Sequence, residues 1–285
     1  MPPAAASARA VSGVIAIVAT TLTGGCVAGP SPAERALLTA ARRGDVDGIG
    51  RALAAGAAVN ARDDYERTPL MRAAAFGHAH AIPSLLAAGA DAMLHDITDA
   101  TVTHLAALEG EAGVLQALRN AGVDLTGQSE GGPNRRTALG GALDVYINAR
   151  AAPADEERAR MSLDTLRVLL ELGASPDHAG STTDTPLVAA VGQGDAALVG
   201  LLLDHGADPD LPSTARRTPP LVQAVEHCYD RTIDIVEMLL AAGADRMAAG
   251  PEGTARERLT RALGHDGNNA CREQRRRLIE RLDRP

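Results

Sequence analysis

The 285-residue sequence predicts an all-α solenoid of stacked helix pairs, and three observations carry that prediction. The first is a glycine period: Gly44, Gly77 and Gly110 lie 33 residues apart, and so do Gly56, Gly89 and Gly122. Two independent registers of one period mark an internal repeat. The second is what surrounds each glycine. Gly173, Gly206 and Gly243 continue the second register, the pairs Leu85-Leu86, Leu169-Leu170, Leu202-Leu203 and Leu239-Leu240 precede it, and Thr68-Pro69-Leu70, Thr185-Pro186-Leu187 and Pro219-Pro220-Leu221 stand upstream. The third is the core material: 45% of residues are apolar, but there is no Trp, one Phe and three Tyr. Ala, Leu and Val must fill the interior, which suits thin, closely spaced helices and suits a β-sandwich poorly.

Charge and composition also exclude chemistry. The net charge is −8, and all 28 basic residues are arginine. A chain without lysine forms no Schiff base and carries neither a phosphate-loop lysine nor a kinase strand lysine. An acidic chain poor in aromatics also lacks the basic track and stacking rings that nucleic acid requires.

Taken in order, residues 1–26 read as an address. They hold one charge, Arg9, then the apolar run Val11 to Leu22 and Thr23-Gly24-Gly25-Cys26. The run is shorter than the roughly 20 residues that span a bilayer. Small residues leading into a cysteine resemble the lipobox of bacterial lipoprotein precursors, which implies that Cys26 is lipidated and the rest of the chain exported. Leu22 sits four residues before Cys26, where the pattern places it three before. Val27 after the cysteine implies the periplasmic face of the outer membrane; the alternatives are a soluble periplasmic protein or an inner-membrane anchor. Residues 27–32, with Gly29, Pro30 and Pro32, read as a tether.

Residues 33–285 form the repeat domain. In each unit a threonine is placed to cap a helix, proline is preorganised at its first position, an alanine-rich inner helix follows, glycine turns the chain, and a leucine-bearing outer helix ends at a left-handed glycine. No such unit buries its own apolar face, whereas a stack does. These units are similar to ankyrin repeats, whose pattern is a threonine-proline-leucine-histidine helix, a second helix, and a glycine-alanine-aspartate exit into a hairpin finger. Thr101 to Ala107, with His104, matches the first element, Gly89-Ala90-Asp91 the exit and Val59-Asn60 the opening of the hairpin. The resemblance implies an ankyrin-repeat solenoid with hairpin fingers, about six repeats and a C-terminal cap. Departures are Gly140-Gly141 early in the fourth inner helix, an insertion at about 149–161 that lengthens the turn, a shorter one around Tyr229, and a degenerate cap at about 246–285. Arg275-Arg276-Arg277 reads as a solvated cap face.

If Cys26 is lipidated, Cys228 and Cys271 remain. Adjacent repeats place them near one another, and two readings stay open: a disulfide contributing about 3–4 kcal/mol, or two buried free thiols. The eight histidines show no metal spacing, and no serine has a hydrolase context. Asp63-Asp64 reads as a pair of solvated turn residues. The expectation is a chain that is not an enzyme, holds no cofactor and no metal, and is monomeric.

What remains is a surface. The resemblance implies that a protein partner meets the fingers and the exposed side of the inner helices. Eight residues past each helix opening lie Phe76, Glu109, Val145, Gln193 and His227. Just before the openings lie Arg67, Arg135 with Arg136, and Arg216 with Arg217. Tyr65, Arg67 and Phe76 are predicted to form one contact cluster, and the four later arginines a basic strip, since Arg and aromatics anchor interfaces. The function expected is protein binding in a bacterial envelope. The alternatives are an immunity or inhibitor protein acting outside the cytoplasm, an enzyme with a cryptic site in the insertion, and a purely structural envelope role.

Overall fold

The computed structural model describes residues 29–125, 137–151, 156–178, 184–226, 231–264 and 269–283. Six helix pairs follow in chain order: α1 (Pro32–Arg43) with α2 (Val46–Ala54), α3 (Pro69–Ala75) with α4 (Ile82–Ala87), α5 (Val102–Glu109) with α6 (Ala112–Asn120), α7 (Ala138–Ala151) with α8 (Glu156–Glu171), α9 (Pro186–Gly192) with α10 (Ala196–Asp204), and α11 (Pro220–Ala224) with α12 (Thr232–Ala241). A two-stranded hairpin, β1 (Ala249–Gly250) and β2 (Gly253–Thr254), then leads into α13 (Ala255–Leu263) and α14 (Asn269–Leu282).

The helix starts follow from the residues at their caps. Ser31 and Glu34 form a reciprocal capping box, with Pro32 at the first position of α1. The hydroxyls of Thr68 and Thr185 accept from the amides of Met71 and Val188, both at 3.3 Å. In the sixth pair Pro219 stands at the cap with no side chain to offer, and α11 is the shortest of the inner helices at 5 residues. Thr254 and Glu257 repeat the capping box at α13.

Each inner helix packs on the next through small residues. Ala73, Ala74, Ala106, Ala107, Ala142 and Ala190 are fully buried, while Leu85, Leu118, Leu169, Leu202 and Leu239 fill the outer layer. These belong to one continuous core from Leu37 to Leu282. Gly141 in the fourth inner helix has a packing cause: a Cβ there would lie 3.3 Å from the Leu108 side chain, so the absence of a side chain lets α7 approach α5.

The insertion is helical where it is described, rather than a longer turn. It extends α7 to 14 residues and α8 to 16. Both extensions are tied to neighbours. Met161 covers Gly110 in the preceding pair, and the Tyr146 hydroxyl donates to Asp195 Oδ2 (2.6 Å) at the N-cap of α10. The Arg150 guanidinium stands 3.4 Å from the same oxygen. The cap is held on by Arg281 to Glu237 and by Arg258 to Glu226. On its polar face Arg276 and Arg277 are exposed, with Arg277 3.4 Å from Glu273. No helix among the described residues is long and apolar enough to cross a membrane.

Candidate functional site: the finger and inner-helix face

The first two fingers are built on a half-buried and a buried carboxylate, Asp63 and Asp96. Asp63 Oδ1 accepts from the amides of Tyr65 (2.8 Å) and Arg67 (3.0 Å), closing a tight turn in which Glu66 takes a positive φ of 56°. One period later Asp96 Oδ1 accepts from the amides of Thr98 (2.8 Å) and Ala100 (3.1 Å), and Asp99 takes a φ of 62°. A carboxylate accepting turn amides stabilises this conformation at non-glycine residues. Asp63 is therefore a structural residue, and only Asp64 of the expected solvated pair is exposed.

Arginines then join the fingers. Arg67 Nε lies 3.0 Å from Asp96 Oδ2 of the next finger, so this side chain is only 28% exposed. Burial alone would push the Asp96 carboxyl up; hydrogen bonds from Thr98, Arg67 and the Ala100 amide outweigh it and hold the group below its usual range. Arg62 reaches Glu66 (3.1 Å) and the His95 carbonyl (2.9 Å), and Arg72 pairs with Asp63. The Ile97 amide donates to the Tyr65 carbonyl (3.1 Å). Further along, the Asp91 amide donates to Asn60 Oδ1, the Asp208 amide to Asp177 Oδ1 and the Asp245 amide to Asp210 Oδ1. Among the described residues the first two fingers, and the fourth to the sixth, are thus tied one to the next.

The predicted cluster of Tyr65, Arg67 and Phe76 is divided by this geometry. Tyr65 carries two guanidiniums, Arg67 and Arg72, each 5.9 Å from its ring centre, and is 56% exposed. Phe76, 49% exposed, caps the opposite end of α3, about 10 Å along the helix. Glu109 and Gln193 are exposed at the matching ends of α5 and α9, while Val145 lies half-buried within the longer α7. Arg216 and Arg217 are exposed on the finger before α11, with Arg217 at a φ of 50°. Cys26, Arg135, Arg136, His227 and Cys228 lie outside the described residues; Cys271 is disulfide-bonded.

Several residues of the face escaped the sequence reading. Ile97, 58% exposed, is the period mate of Asp64, and Asp96 that of Asp63, so the 33-residue register was the signal that finds them. Arg72 had no such mark, because its period mate Leu105 is buried.

Two of the described histidines bridge neighbouring pairs, and His104 bonds within its own helix start. His78 Nε2 and His80 Nε2 lie 2.9 Å from the carbonyls of Arg42 and Gly44 at the end of α1, and His104 Nδ1 is 2.7 Å from the Thr101 hydroxyl. Among the described residues no three metal-ligating side chains converge. The extended α7 and α8 enclose a cleft of about 630 Å³ lined by Tyr146, Arg150, Glu156, Glu157, Arg160 and Leu163. Its titratable centre is committed internally: burial, then the hydrogen bond to Asp195, pushes the Tyr146 phenol up, so it stays protonated as a donor at neutral pH.

Comparison with known proteins gives the same picture. A profile of three successive ankyrin repeats matches residues 37–129 and 158–248, well over half of the chain. An ankyrin repeat-containing protein of Treponema pallidum is 44% identical over 75 residues, covering 26% of this chain and 25% of that protein. The matched stretch is therefore about a quarter of the relative's length. The human ASB11 ankyrin repeat domain superposes with a TM-score of 0.59 at 21% identity, over 90% of this chain and 99% of that one. A chain in the complex of a predatory endopeptidase from Bdellovibrio bacteriovorus with an immunity protein gives a TM-score of 0.51 at 22% identity, over 73% and 97%. At these identities the likeness is one of fold.

Proposed function

Since the chain belongs to the ankyrin repeat family, we propose that it is a non-catalytic protein-binding module of the bacterial cell envelope, holding its partner on the fingers and the exposed side of the inner helices. The observation that carries this reading is the exposure of Tyr65 and Ile97 on the first two fingers and of Phe76 at the far end of α3, in a molecule whose other large apolar side chains, Met93, Met161 and Met247 apart, are mostly packed into the core. Exposed aromatic and aliphatic side chains on fingers tied one to the next are suited to a partner, because little conformational entropy is lost when they dock. The envelope assignment rests on the lipobox-like run ending in Cys26, which would tether the solenoid on the periplasmic face of the outer membrane.

Affinity capture from solubilised envelopes, followed by mass spectrometry, tests both parts. One protein should be recovered stoichiometrically and lost with Tyr65→Ala/Phe76→Ala, and Cys26→Ala should release the chain into the soluble periplasmic fraction. Recovery unchanged by the double substitution would sink the assignment of the face, and an unaltered membrane fraction for Cys26→Ala would sink the tether. An immunity or inhibitor role outside the cytoplasm is the more specific form of this reading. It is prompted by the fold shared with a chain of the Bdellovibrio endopeptidase complex, and it requires the captured protein to be an enzyme or toxin that the purified chain inhibits.

A further inference from the structure

The charges around the exposed apolar residues specify the kind of partner, on the premise that the finger and inner-helix face is the binding surface. We propose that the partner lays a basic protein segment, bearing lysine or arginine, across the first two fingers and the ends of α3 and α5.

The apolar part of this surface is Tyr65 and Ile97 on neighbouring fingertips, joined by the bond from the Ile97 amide to the Tyr65 carbonyl, and Phe76 at the end of α3. Every arginine among these residues is committed to a carboxylate: Arg62 to Glu66, Arg67 to Asp96, Arg72 to Asp63. The carboxylates of Asp64, Asp99 and Glu109 make no hydrogen bond or ion pair with the described residues. Glu109 also stands close enough to Glu111 to raise its carboxyl, after burial, with only His78 opposing. The patch is therefore apolar with a surplus of negative charge, although its sequence is rich in arginine. Lysine or arginine matches both parts at once: the aliphatic stem covers Tyr65 or Ile97 while the head reaches a carboxylate. An acidic segment would bring like charges together on a surface with no spare cation. Arg216 and Arg217, exposed on a later finger without an ion pair among the described residues, give the opposite sign elsewhere on the chain and serve as an internal control.

Random peptides displayed on phage and panned against the purified full chain test this directly. Peptides combining Lys or Arg with Leu or aromatic residues are expected to be enriched. Once synthesised, they should bind Asp64→Asn/Asp99→Asn/Glu109→Gln about tenfold more weakly, bind Arg216→Ala/Arg217→Ala unchanged, and weaken as salt rises. Circular dichroism of the variants should match that of the parent. Enriched acidic or uncharged peptides that Tyr65→Ala/Phe76→Ala abolishes would overturn the charge assignment and leave the face standing. Peptides indifferent to Tyr65→Ala/Phe76→Ala would overturn both.

Discussion

Asp96 shows how one side chain in a finger serves both folding and site geometry. Its side chain is inaccessible to solvent, one oxygen closes its own turn, and the other anchors Arg67 of the finger before. The carboxyl titrates below its unfolded value of about 3.9, so its stabilisation is fully present above that pH and is lost as pH falls through the folded value. Asp96→Asn keeps an oxygen for the turn and removes the charge facing Arg67. The expected cost is about 2 kcal/mol in urea unfolding at pH 7, with the gap to the parent closing below about pH 4. A cost that persists unchanged at pH 3 would mean that the charge is not the cause. The sequence placed Arg67 in the surface but not its partner, because a separation of 29 residues becomes a 3.0 Å contact only when two fingers stack.

At the scale of elements, the inserted turns of α7 and α8 were legible as extra residues and illegible as structure. Periodicity located 149–161 as a break in the repeat. It could not show that the extra residues continue two helices, because their support comes from Gly110 and Asp195 in the pairs on either side. Tyr146, on α7 of the fourth pair, donates to Asp195 at the start of the fifth, so this bond is a buried polar link between the two pairs. Tyr146→Phe is expected to destabilise the protein by about 2 kcal/mol, since it removes a buried hydrogen bond to a charged acceptor while keeping the ring. Thermal unfolding measures that cost. Hydrogen exchange should rise first at the start of α10, whose amides Ala197 and Leu198 depend on Asp195.

For the whole molecule, the alanine and leucine layers form one core from the first pair to the cap, so the described residues are coupled by nearest-neighbour packing. Leu202→Ala, in the middle of that array, should cost about 2–5 kcal/mol through lost burial and a residual cavity. Circular dichroism against urea should show a single transition shifted to lower denaturant; two separated transitions would show that the array divides at that point. The sequence alone determined the solenoid, its period and its helix pairs, because each unit's caps, glycine turns and leucines act within about 33 residues or on the next copy. Tertiary structure alone decided which charges the surface presents. Arg62, Arg67 and Arg72 look like free cations in the chain and are consumed by carboxylates up to one finger away, leaving the exposed Asp64 and Glu109 and the half-buried Asp99 without a cation beside Tyr65, Ile97 and Phe76. The physical reason is that composition counts charges, whereas a binding surface is made of those left over after stacking has paired the rest.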